Sequence, residues 1–150
     1  MIDLDNQTTL VVDLNALEKI AESLSSKEVE LVITDDATMK TLNAEHRGKE
    51  TTTDVLSFPM QDTIMDFAFT EQSIFTMPLG SIVIAASFVK EKAKTFGHTE
   101  QDELSLLFIH GILHLLGFDH ETDNGEMRVR EKELIEAFDL PKSLIIRTEN

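Results

Sequence analysis

The sequence predicts an α+β domain, a small mixed sheet of about four strands packed with about five helices. Three observations carry that expectation. Short apolar, β-branched runs alternate with segments whose apolar residues recur at helical spacing. No repeat, low-complexity tract or linker divides the chain, so residues 1–150 read as a single domain. One 13-residue run, Leu104 to Leu116, is apolar on nearly every face and reads as a buried central helix.

The elements follow in order. Thr8–Leu14 (TTLVVDL) reads as a first strand, and residues 15–24 (NALEKIAESL) as a first helix. Val29–Thr34 (VELVIT) is a second strand. Asp35 or Asp36 can cap a helix through ATMKTLNAEHR, which Gly48 stops. Asp54–Phe58 is a short third strand ended by Pro59. Residues 60–78 are long, irregular and rich in Met and Phe, and read as a hairpin or a flap beside the site. Ser81–Ala86 is a fourth strand that runs into the helix FVKEKAKTF, stopped by Gly97. Thr99 caps the central helix, with Asp102 three residues on as a weak capping box, and Gly117 ends it. Asp123 or Asn124 starts a last helix, Gly125–Phe138, closed by Pro141.

Composition narrows the function classes. The chain has no cysteine, which excludes disulfides and thiolate metal sites and suits a reducing cytosol. Its start, MIDLDNQTTL, lacks the basic and apolar regions of a signal peptide. No apolar stretch approaches the roughly 18 residues that span a membrane. A cytoplasmic protein without a membrane partner is expected. The formal charge of −15 sits awkwardly with nucleic-acid binding, where phosphate contacts dominate affinity. Net charge governs solubility and long-range steering, however, and not what one cleft can hold. Arg47 with Lys49, and Lys90, Lys92 and Lys94, offer a local basic track; solvated helix faces account for the lysines equally well.

The chemistry concentrates in HGILHLLGFDH, His110 to His120. His110 and His114 are i and i+4, so their Cβ atoms lie about 6 Å apart on one helix face. Gly117 lets the chain leave the helix through a left-handed turn, which can bring His120 back as a third ligand. Three neutral imidazoles without thiolates suit zinc first, with nickel or copper as alternatives. Three protein ligands leave a fourth position open, the catalytic arrangement, in which bound water reaches a pKa of about 7. The spacing is that of the metallopeptidase helix H-E-x-x-H-x-x-G-x-x-H, yet Gly111 stands where the glutamate base belongs. Without that proton shuttle the pattern favours phosphate-ester over peptide cleavage. A glycine inside a helix also costs about 1 kcal/mol against alanine, so substrate backbone or a neighbouring strand is expected to pass close over Gly111.

Cationic help for phosphate chemistry points to Arg47, in the polar stretch LNAEHRGKETTTDVLSFP, because a guanidinium holds phosphate bidentately. A surface arginine without a role is the alternative. Asp54 and Ser57 are candidates for capping or for orienting a ligand. Met127 reads as helical core, or as a floor beneath a metal. His46 and His98 read as surface histidines, His46 within reach of substrate.

Together these residues resemble the YbeY family, bacterial metal-dependent endoribonucleases of rRNA maturation, from about Leu31 to Leu134. The resemblance rests on Leu42–Pro59, LGSIVIA (Leu79–Ala85) and His110–His120. It implies a zincin-like α+β fold with the metal site on the central helix and one zinc ion per chain on His110, His114 and His120. It also implies single-strand-specific RNA cleavage, 16S rRNA 3′-end maturation and ribosome quality control. The partners implied are an rRNA precursor and the small ribosomal subunit with its basic proteins. Arg47 matches the family's functional arginine and His114 the histidine most tied to activity, so both carry over as catalytic. Three positions depart from the family pattern: His46 for Tyr, Thr52 for Pro and Ser81 for Asp. The carboxylate lost at Ser81 lowers metal affinity unless another acid takes its place. A zincin-like metallopeptidase and a non-catalytic assembly factor with a structural metal are the competing readings.

Overall fold

The computed structural model describes residues 1–60 and 77–148. Most of the expected hairpin or flap at 60–78 lies outside the described residues. Four strands, β1 (Ile2–Asn6), β2 (Val29–Thr34), β3 (Val55–Pro59) and β4 (Gly80–Ala85), form one mixed sheet in the order β1-β2-β4-β3. β1, β2 and β4 run parallel, and β3 pairs antiparallel with β4, Ser57 opposite Ile82. The helices are α1 (Leu14–Leu24), α2 (Asp36–Arg47), α3 (Ala86–Phe96), α4 (Glu100–Leu115), α5 (Glu126–Ala137) and α6 (Lys142–Thr148).

Alternation along the strands sends side chains to two cores. Leu31, Ile33, Ile82 and Ile84 join Leu17 and Ile20 of α1 and Phe108, Ile109 and Ile112 of α4. Leu56, Val83 and Ala85 form the smaller core with Met39 of α2. Helix α4 crosses β3 and β4 and is buried along almost its whole length, as its apolar run predicts.

Local chemistry sets the helix ends where the sequence places them. Asp35 accepts from the Thr38 amide at 2.8 Å, and those hydrogen bonds hold its carboxyl below the usual range. Gly48 and Gly97 end α2 and α3, and Thr99 accepts from the Asp102 amide at 3.0 Å. Asp123 accepts from the Gly125 and Met127 amides at the start of α5, which pushes its pKa down.

Two expectations are corrected. The first strand is Ile2–Asn6 and not Thr8–Leu14. Asn6 folds the chain back by accepting from the Thr8 amide at 3.0 Å and donating to the Leu10 carbonyl at 2.8 Å, so Thr8–Asp13 is an ordered loop with Val11 86% exposed, and Leu14 already belongs to α1. Asp13 then caps α1. At the other end Pro141 does not close the fold. It precedes α6, a sixth helix among the described residues, where its missing amide costs nothing. Leu144 anchors α6 against Leu106 and Ile135.

Candidate metal centre

Helix α4 presents His110 and His114 on one face, their ring centroids 4.7 Å apart and their Nε2 atoms 3.2 Å apart. The chain then leaves the helix. The Phe118 amide closes on the Leu113 carbonyl at 3.0 Å, and Gly117 takes φ +101°, a conformation that a side chain strains. Asp119 ties the next turn by accepting from the Glu121 amide at 3.0 Å. His120 returns to the same point, its ring 5.2 Å from that of His110 and 5.4 Å from that of His114. One ring nitrogen from each histidine lies within 4.8 Å of the others.

The donor set fits a divalent metal. His110 Nδ1 is 2.8 Å from Oε1 of Glu131, a buried residue of α5. As donor to that carboxylate, Nδ1 keeps its hydrogen, and Nε2 is left as a lone pair facing His114. His114 has its pKa lowered, first by burial and then by the neighbouring His110 and His120; contacts with the Phe118 backbone and Asp119 oppose the shift. A neutral imidazole is the form that binds metal. Replacing Glu131 by Gln, which keeps the shape and removes the charge, is expected to weaken metal binding about 10- to 100-fold. Competition against a chromogenic chelator measures it, and an unchanged affinity refutes the orienting role.

Sequence reasoning missed Glu131, although a signal existed. The buried positions of α5 are Met127, Glu131, Leu134 and Ile135, a helical stripe in which one member is an acid. A charged residue on a core stripe needs a partner, since burying it unpaired is costly.

The remaining candidates fall into place around this cluster. Arg47 is the exposed last residue of α2 and forms no ion pair among the described residues. It lines an open groove of about 1330 Å³ that also holds His110, His114 and His120. His46 lines the same groove, edge-on to Phe58 at 4.8 Å. Ser57 donates to the Gly111 carbonyl at 3.2 Å and so ties β3 to α4. Asp54 accepts from the Val55 amide at 2.8 Å and pairs with Lys92 at 3.4 Å. Met127 is core. Ser81 donates to Glu30 Oε1 at 3.0 Å across β2 and β4, and both line the groove, so a carboxylate stands beside the position where the family pattern has Asp.

His98 is a correction. Its side chain is 2% exposed, held between Glu103 at 2.9 Å and Ser143 at 3.3 Å. It joins α4 to α6 and has no place at the metal cluster.

A mixed sheet crossed by a helix with two histidines one turn apart, and a third delivered by the following turn, defines a zincin-like fold with the site of a metal-dependent hydrolase. The family model described as endoribonuclease YbeY matches residues 2–139. The chain belongs to that family. It is 63% identical over 149 residues to endoribonuclease YbeY of Sulfurovum sp., covering 99% of this chain and 98% of that one. It is 57% identical over 132 residues to endoribonuclease YbeY of Campylobacter jejuni, covering 88% and 90%. A solution structure of a structural-genomics target protein from Thermotoga maritima superposes with a TM-score of 0.57 at 28% identity, covering 92% of this chain and 89% of the other. Among the described residues no helix is long and apolar enough to cross a membrane.

Proposed function

We propose that residues 1–150 form one hydrolase domain that cleaves single-stranded RNA internally. Its place is the 3′-end maturation of 16S rRNA and ribosome quality control in the cytoplasm, on the small subunit and its basic proteins. The observation that carries the reading is the convergence of three imidazoles in a groove that also holds the Arg47 guanidinium, which has no ion pair among the described residues. His110, His114 and His120 would hold one zinc ion. Zinc there supplies Lewis acidity toward the phosphoryl group and lowers the pKa of water.

The chain's own residues do the rest. Glu131 fixes the tautomer and direction of His110, and partial burial together with the two neighbouring histidines lowers the His114 pKa and keeps that ring neutral. Arg47 receives the non-bridging phosphate oxygens bidentately and steadies the charge that grows on them. The acidic surface fits delivery of the RNA by basic proteins, because free RNA is repelled at long range by a chain of charge −15.

Arg47→Ala is expected to lower kcat/KM on single-stranded RNA about 100-fold, some 2.7 kcal/mol of transition-state stabilisation, with zinc content unchanged. Arg47→Lys should recover only part, because an ammonium cannot hold two oxygens in one plane. Parent-like cleavage by Arg47→Ala defeats the assignment. A casein substrate run in parallel tests peptidase activity, and zinc retained with neither RNA nor casein cut favours a non-catalytic assembly factor.

A further inference from the structure

A second hollow of about 350 Å³ shares Asp54, Val55, His110 and His120 with the groove. Its other residues differ in kind from those of the groove. Lys92 of α3, Arg128 of α5 and Arg147 of α6 meet there over Leu106 and Leu107. Three cations from three helices converge in a chain with 13 Lys and Arg against 28 Asp and Glu. The acids lining the hollow are already engaged, Asp54 with Lys92 at 3.4 Å and Glu131 with His110 at 2.8 Å. Arg147 is fixed by its ion pair with buried Glu103 and by the Phe96 ring, 4.5 Å from its guanidinium carbon. Arg128 is exposed and forms no ion pair among the described residues.

Neither the metal cluster nor Arg47 accounts for this convergence. Asp54 offsets Lys92 and Glu103 offsets Arg147, which leaves Arg128 as the cation on this rim without an ion pair among the described residues and open to an incoming anion. The volume lies at the small end of ligand pockets, the size of a single nucleotide. An apolar floor with a cationic rim suits a sugar–phosphate and its base without regard to sequence. The shared wall of His110 and His120 puts any occupant next to the metal cluster.

We infer that the hollow is a second phosphate subsite for the same RNA strand, in which Arg128, beside Lys92 and Arg147, takes the phosphate of a nucleotide flanking the cleaved one. This rests on the endoribonuclease reading above. The strand then spans the histidine cluster, with Arg47 at the scissile phosphate and Arg128 at its neighbour.

The test uses the zinc-loaded full chain and a fluorescein-labelled 12-nucleotide single-stranded RNA, with anisotropy for binding and a gel of the same samples for cleavage. Arg128→Glu is expected to weaken binding at least about tenfold and to lower the slope of log affinity against log salt by about 0.7, one phosphate contact on a single strand. Lys19→Glu, an equal charge change on exposed α1, should stay within about twofold of the parent. If Arg128→Glu matches Lys19→Glu in affinity and slope while the parent still cuts RNA, the subsite is refuted and the endoribonuclease reading stands. If the zinc-loaded parent neither binds nor cuts the RNA, both fall together.

Discussion

His114→Ala is expected to lose the metal and, with it, roughly three orders of magnitude or more in RNA cleavage, about 4 kcal/mol of transition-state stabilisation. His114 faces both other histidines, its Nε2 3.2 Å from that of His110 and its ring centroid 5.4 Å from that of His120. Without it two imidazoles remain, one of them on the exposed turn after Gly117. Two donors do not make the three-ligand site that catalytic zinc occupies. The substitution itself should be mild for the fold, because His114 is only half-buried and its ring faces those of the other two histidines.

The measurement is zinc per chain by elemental analysis, beside cleavage of labelled single-stranded RNA, with circular dichroism to establish folding. Zinc content near the parent's in His114→Ala would break the ligand assignment. Cleavage that persists after zinc is gone would mean a contaminating nuclease and leave the enzyme reading without support. Arg47→Ala separates the two contributions, since it should lose activity with zinc in place. A pair of variants that differ in metal content but both lose activity locates metal and guanidinium as distinct parts of one machine.

The histidine cluster was legible in the sequence because its geometry is local. An i, i+4 pair shares a helix face whatever the helix packs against, and a glycine after the last turn permits the return of His120. Glu131 was not legible in that way. It meets His110 across 21 residues of chain, through the packing of α5 on α4, and only its place on an otherwise apolar stripe betrays it. His98 failed for the same reason. A lone histidine after a helix stop looks exposed until α6, itself unanticipated behind Pro141, brings Ser143 over it.

The strands divide along a similar line. Val29–Thr34 lies within the sheet and reads as a β-branched, mainly apolar run in which only Glu30 is exposed. The edge strand β1 alternates Ile2 and Leu4 with Asp3 and Asp5, a correct period-two pattern in which three of five residues, Asp3, Asp5 and Asn6, are types depleted in strands. The stronger β-branched run at Thr8–Leu14 outweighed it, although side-chain hydrogen bonds from Asn6 hold that run as a loop. Propensity favoured one segment, and tertiary pairing with Val29–Ile33 selected the other.

Gly111→Glu restores the full metallopeptidase motif on paper, and it is expected to destabilise the chain without creating a peptidase. A Cβ at Gly111 would meet Ile82 Cγ2 at 2.8 Å, with Cδ1 and Cγ1 both at 3.2 Å. Ile82 is fully buried on β4, which is hydrogen-bonded to β2 on one side and β3 on the other, so the strand has little room to yield. Of the two causes the sequence leaves open for Gly111, the neighbouring strand is the one seen. A glutamate there would start into the sheet and bury a carboxylate among isoleucines, at a cost of about 4 kcal/mol or more, roughly a 10–15 °C fall in Tm for a chain of this size. Gly111→Ala should be milder, because overpacking of about 1–3 kcal/mol is offset by about 1 kcal/mol of helix propensity. The packing account further predicts non-additivity: Ile82→Ala should cost less in the Gly111→Ala background than alone, since the new methyl fills part of the space it vacates. Thermal unfolding of the four proteins in that cycle measures the coupling. Additive effects, or a Gly111→Glu chain with the parent's Tm and activity on casein, would show that position 111 opens toward the histidines after all. On the packing account, the absent glutamate follows first from the distance between α4 and β4, and the preference for phosphate over peptide chemistry has to come from Arg47 and the cations around the groove.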